Sequence, residues 1–244
     1  MNPEDSLLTD ELREEFEQTM LASERLEAQF HDIEQQHQAA SLGMWAFLAT
    51  EVMFFGTLFL GVYVYRHAYP DAFEKASERL NWLIGGINTV VLLVSSLTVV
   101  LAVHYASLGR RKPLVVFLTL TMLLGLCFLS LKGLENYIDY LENLIPGWKF
   151  EPQEWVQAGL RPDQVPNVRL FFSFYWIMTS LHALHVTIGV GAMAVLMVLA
   201  WRGHFSPAYY IPVDVTALYW HFVDIVWIFL LPTLYLMGTH HWGK

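Results

Sequence analysis

Residues 219–236 read YWHFVDIVWIFLLPTLYL, a stretch apolar enough to lie in lipid that nevertheless carries His221 and Asp224 one helical turn apart. Ionisable side chains are expensive in hydrocarbon, so they face protein or water and have a partner. Trp220 and Trp227 flank the pair. A helix of this composition packs against other helices, and the rest of the chain supplies them.

Of the 244 residues, 55% are hydrophobic and 15% aromatic, the composition of an integral membrane protein. Five apolar stretches, near residues 42–65, 82–108, 113–140, 168–201 and 214–238, are each long enough to span roughly 30 Å of hydrocarbon at about 1.5 Å per residue. The predicted fold is therefore all-α, a bundle of five transmembrane helices forming one domain over residues 41–244. The connection over 70–81 reads as polar and that over 141–167, with Pro146, Pro152, Pro162 and Pro166, as extended and irregular.

Residues 1–40 are different in kind. They hold eleven acids against Arg13 and Arg25, which equals the whole formal net charge of −9. Leu12, Phe16, Thr19, Ser23, Leu26, Phe30 and Ile33 recur at alternating spacings of four and three, so residues 7–34 are expected to form an amphipathic extramembrane helix. Two polar members weaken the stripe as a self-assembling coiled coil, and docking on a partner, such as a further respiratory complex, fits better. The local acidity argues against nucleic acid and against anionic lipid headgroups.

Arg110, Arg111 and Lys112 form a tight basic turn, which by the positive-inside rule faces the cytoplasm. Five spans then leave the N-terminus inside and the C-terminus outside. The acidic start has no apolar core before residue 41, so the first span is expected to act as its own uncleaved insertion signal.

Glu51 lies nine residues after Leu42, about 13 Å into the membrane. No base lies one turn away on its own helix, so it is expected to be protonated or to be partnered by another helix. It reads as a member of a proton relay, as a site where a lipid or partner helix is held, or as a hydrogen bond fixing helix register. His182 and His185 sit three apart in the fourth span, and His104 lies late in the second. A metal site needs three or four converging ligands at a recognised spacing, and the sequence offers none. Histidines satisfied by hydrogen bonds across helices are the expectation. Lys132 and Glu135 are expected to form an in-helix pair, solvated or snorkelling near a membrane face. Glycines at 56 and 61, 85 and 86, and 189 and 191 are read as permitting close helix contact.

The single cysteine, Cys127, excludes an internal disulfide and a dinuclear copper centre bridged by two cysteines. There is no CxxCH, Walker loop or dinucleotide fingerprint, so no catalytic centre or electron carrier is expected on this chain.

Four segments in order, TEVMFF around Glu51, SSLTVVLAVHYASLGRRK, LHALHVTIG and YWHFVDIVWIFLLPTLYL, resemble subunit III of the haem–copper oxidase family in its short, five-helix form. The resemblance covers about residues 41–244. It implies a subunit without redox centres that packs on the catalytic subunit I, beside subunit II and other oxidase subunits, in the bacterial cytoplasmic membrane. Haem and copper would sit on those partners. It also implies support of proton uptake, durability of the active site, and phospholipid held between helices. Glu51 would be the family's buried acid, and His104, His182, His185, His221 and Asp224 the polar lining of the bundle or its lipid cleft. The longer members have two further helices ahead of the one bearing Glu51, and this chain has the acidic segment instead. The leading expectation is a cytochrome c oxidase. The alternatives are a quinol oxidase or a nitric oxide reductase-associated subunit, then a stand-alone haem-bearing carrier using the histidines, or a small transporter coupled through Glu51.

Overall fold

The computed structural model describes residues 26–27, 29–147 and 152–238. Asp32 starts the first helix by accepting a hydrogen bond from the Gln35 amide at 2.7 Å, satisfying one of the amides that a helix start leaves unpaired. From there α1 runs over Ile33–Ala68, followed by the short α2 (Pro70–Ser77), then α3 (Trp82–Ser107) and α4 (Arg111–Leu141). After α5 (Pro152–Gln157) and a 3-10 turn (Pro162–Gln164) come α6 (Val165–Trp201) and α7 (Ile211–Leu234). The five long helices are long and apolar enough to cross a membrane.

Several boundaries differ from the sequence reading. Helix α1 begins nine residues before the expected span and passes through the 40/41 boundary unbroken. The described residues from 26 to 32 are not helical, so the amphipathic helix expected over 7–34 does not reach its predicted end; Ile33 belongs to α1. The remainder of that predicted helix lies outside the described residues. The 70–81 connection is mostly helix α2, because Pro70 sits where its missing N–H costs nothing and Phe73 is buried against Phe171 (5.4 Å between ring centres). The connection expected to be irregular contains α5, pinned by the buried Trp155 against Phe172.

Helix α7 is the hub, packing on α1, α3 and α6, while α3 packs on α4 and α4 on α6. Trp220 shows how tightly. Its indole donates to Ser95 Oγ on α3 at 3.0 Å. Its ring occupies the space that side chains at Gly125 on α4 and Gly189 on α6 would need, since added Cβ atoms would lie 2.7 and 2.8 Å away. Gly61 and Gly85 also meet a neighbour closely, but Gly56, Gly86 and Gly191 face open space. Only one glycine of each expected pair therefore serves close packing. Among the described residues no side-chain ladder or sheet competes with helix packing; a lone bridge joins Ser206 and Tyr209.

Candidate functional site

Two polar regions lie inside the bundle, with one histidine standing between them. The first is at the contact of α1 with α6. Glu51 Oε2 lies 3.2 Å from His185 Nε2, with 19% and 14% of the two side chains exposed, although the pair is not aligned as a hydrogen bond. His185 Nδ1 lies 2.8 Å from the Leu181 carbonyl oxygen. A carbonyl only accepts, so Nδ1 carries a hydrogen and Nε2 is left to face the acid. The acid and Nε2 face each other at 3.2 Å without an aligned hydrogen bond. The partner expected for Glu51 on another helix is thus His185, held by Phe55 at 5.4 Å and by the backbone one turn below.

The second region is at the far end of α4. Lys132 and Glu135 form the expected pair, Nζ to Oε2 at 3.0 Å, but each side chain is only 2% exposed. The solvated or snorkelling reading is therefore corrected. Lys132 does not reach for water because its other two hydrogens already have acceptors, the hydroxyls of Tyr175 at 2.9 Å and Tyr235 at 2.8 Å. Tyr175 in turn donates to Asp139 Oδ2 at 2.7 Å. The Lys132 ammonium also lies 4.6 Å from the centre of the Tyr175 ring. Asp139, Tyr175 and Tyr235 were not singled out in the sequence. The signal was present, because Lys132, Glu135 and Asp139 follow the i, i+3, i+7 spacing of one helix face.

His182 stands between the two regions. It is buried, tilted against Trp227 (5.2 Å) and met edge-on by Phe128 (5.5 Å), and neither ring nitrogen has a hydrogen-bond partner among the described residues. The expectation of a satisfied histidine fails here: the surrounding wall is aromatic. His182 and His185 therefore do not act as one pair, as one turn toward α4 and α7 and the other toward α1.

His221 and Asp224 also separate. His221 Nδ1 is 2.7 Å from Ser96 Oγ on α3, and no ion pair joins His221 to Asp224. Asp224 is 3% exposed with neither oxygen hydrogen-bonded in good geometry, although Ser96 neighbours it too. Ser96 is one of three α3 hydroxyls that tie this part of α7 to α3, with Ser95 bonded to Trp220 and Thr89 to Trp227. His104 is exposed on the last turn of α3 beside Tyr105, so it lines neither interior nor cleft. Among the described residues no three His, Cys, Asp or Glu side chains converge as a metal-ligand set.

Between α1 and α7 lies an apolar groove of about 770 Å³ lined by Trp45, Val52, Phe59, His221, Ile225 and Phe229 among others. His221 is its ionisable member, and Gly56 lies open along its wall. Below the groove, where α1 and α7 start, His37 Nε2 lies 2.9 Å from Asp214 Oδ2.

The family model for cytochrome c oxidase subunit III matches residues 167–239, which take in most of α6 and all of α7. A protein of Staphylococcus haemolyticus named "Probable quinol oxidase subunit 3" is 30% identical over 210 residues, 84% of this chain and 92% of the relative. The chain belongs to the haem–copper oxidase subunit III family. Like-named proteins of Staphylococcus aureus strains USA300 and NCTC 8325 are 29% identical over 206 residues, 83% of this chain and 90% of theirs. Within an oxidase complex, subunit III is a non-catalytic, multi-pass membrane subunit, and its partners are other oxidase subunits.

Proposed function

We propose that this subunit III serves a quinol-oxidising haem–copper terminal oxidase of a bacterial cytoplasmic membrane. The observation that carries the reading is similarity along nearly the whole chain to proteins named for quinol oxidase. It favours the quinol alternative over the cytochrome c oxidase first expected from the sequence. On this reading the chain packs on the catalytic subunit I, with subunit II beside it, and those partners hold the haem and copper. The basic turn at Arg110, Arg111 and Lys112 faces the cytoplasm, so the N-terminus lies inside and the C-terminus outside. The acidic N-terminal segment docks on a neighbouring subunit or a further respiratory complex.

Glu51 and His185 are the residues we assign to support of proton uptake. A proton can move between an acid and an imidazole at no change in their summed charge, and passing it on leaves a carboxylate that the next proton taken up neutralises. The apolar groove between α1 and α7 suits the acyl chains of a phospholipid, and His221 marks its polar wall.

The complex purified through this chain in mild detergent tests the reading. Oxygen consumption should follow added quinol and not reduced cytochrome c; the reverse would return the chain to a cytochrome c oxidase. Glu51→Gln should leave the complex assembled while turnover under a proton gradient decays faster. Unchanged turnover and lifetime would reduce Glu51 to a packing residue.

A further inference from the structure

The Lys132 cluster has more acid than its base can balance. If both carboxyls were ionised, Lys132 would face two negative charges, from Glu135 and Asp139. The cation on the neighbouring helix α6, Arg169, is exposed and is not among the charges that act on Asp139. Helix α3 carries no charged residue, α6 contributes Tyr175 and His182, and the end of α7 contributes Tyr235. The remaining neighbour on α4 is Glu142, another acid that faces Asp139. An uncompensated buried carboxylate is strongly disfavoured even after relaxation.

The hydrogen bonds sharpen the imbalance. All three Lys132 hydrogens are taken, by Glu135 Oε2, Tyr175 and Tyr235, so none is left for Asp139. Glu135 Oε1 is buried without a well-aligned hydrogen bond, with the Tyr235 hydroxyl beside the carboxyl. A buried oxygen without an aligned donor is where an additional hydrogen or water belongs.

We propose that Glu135, Asp139, Lys132, Tyr175 and Tyr235 form a one-proton binding site, which holds one proton on the two carboxyls beyond the charge of the lysine. Asp139, two residues before α4 ends at Leu141, is the member of the site nearest the helix end. The hydrogen bonds join both acids through the lysine: Lys132 Nζ donates to Glu135 Oε2 at 3.0 Å and to the Tyr175 hydroxyl at 2.9 Å, and Tyr175 O–H donates to Asp139 Oδ2 at 2.7 Å. From Asp139 to Lys132 the axis advances about 10 Å, so the site connects the end of α4 to the bundle interior. A metal cation is disfavoured as the occupant, because an ammonium group already holds the centre of the oxygen cluster.

Infrared difference spectroscopy on the intact purified oxidase tests this. Wild type minus Asp139→Asn should show one carboxyl equivalent of protonated C=O stretch at neutral pH, shifted in D2O. Glu135→Gln should lose the same band, because either change leaves a single acid balanced by Lys132. A spectrum without that band, meaning both acids ionised, overturns the proposal. A protonated-carboxyl band that survives in either single variant overturns it as well. If neither variant assembles, the cluster is a fixed ion network and no exchangeable proton site.

Discussion

Glu51 keeps 19% of its side chain exposed and meets one base, whereas Glu135 keeps 2% and shares its lysine with two phenols. Both are acids in apolar helices, yet α1 and α4 solve the same problem differently. Helix α1 lies at the edge of the bundle, where a loosely aligned contact with His185 suffices because the groove side stays open. Helix α4 is enclosed by α3 and α6, so Glu135 must sit in a network that uses every lysine hydrogen. Enclosure, rather than the charge itself, sets how many partners a buried acid needs.

Breaking each contact in turn ranks the two solutions. Lys132→Met has the largest expected effect, because it strands two carboxyls and two phenols in a closed interior. Thermal unfolding of the purified complex should report a loss of about 3–5 kcal/mol for this subunit. A loss under 1 kcal/mol would mean that the network carries no stability. His185→Ala comes next. It takes away the only base at Glu51, but the half-open site lets water or lipid replace it, so about 1–3 kcal/mol is expected. A loss equal to that of Lys132→Met would erase the distinction between the two regions. The smallest effect belongs to His37→Ala at the rim, where both side chains of the pair with Asp214 are about 30% exposed. Here about 0–1 kcal/mol is expected by the same measurement.

The five helices were legible because each is a long apolar run with polar or proline punctuation, and hydrocarbon thickness fixes the length. Which side of each helix faces inward was not legible. Helices α1, α3 and α6 are apolar all round, so no stripe marks the core. Lys132 and Glu135 were visible as a pair, but their burial depends on Tyr175 and Tyr235, which are remote in sequence. The partner of Glu51 was hidden for the same reason, although the need for one was clear from its depth. His221 and Asp224 looked paired by spacing, and only the position of Ser96 on α3 separates them. The short helices α2 and α5 were missed because their propensity is weak and burial of Phe73 and Trp155 decides them.

Trp220 touches three helices at once, through Ser95, Gly125 and Gly189, and it lies on the last of the five spans to be synthesised. Until the ribosome delivers α7, the notch between α3, α4 and α6 has no wedge to close it. A chain stalled after α6 therefore presents inserted but unlocked helices to the membrane's proteases.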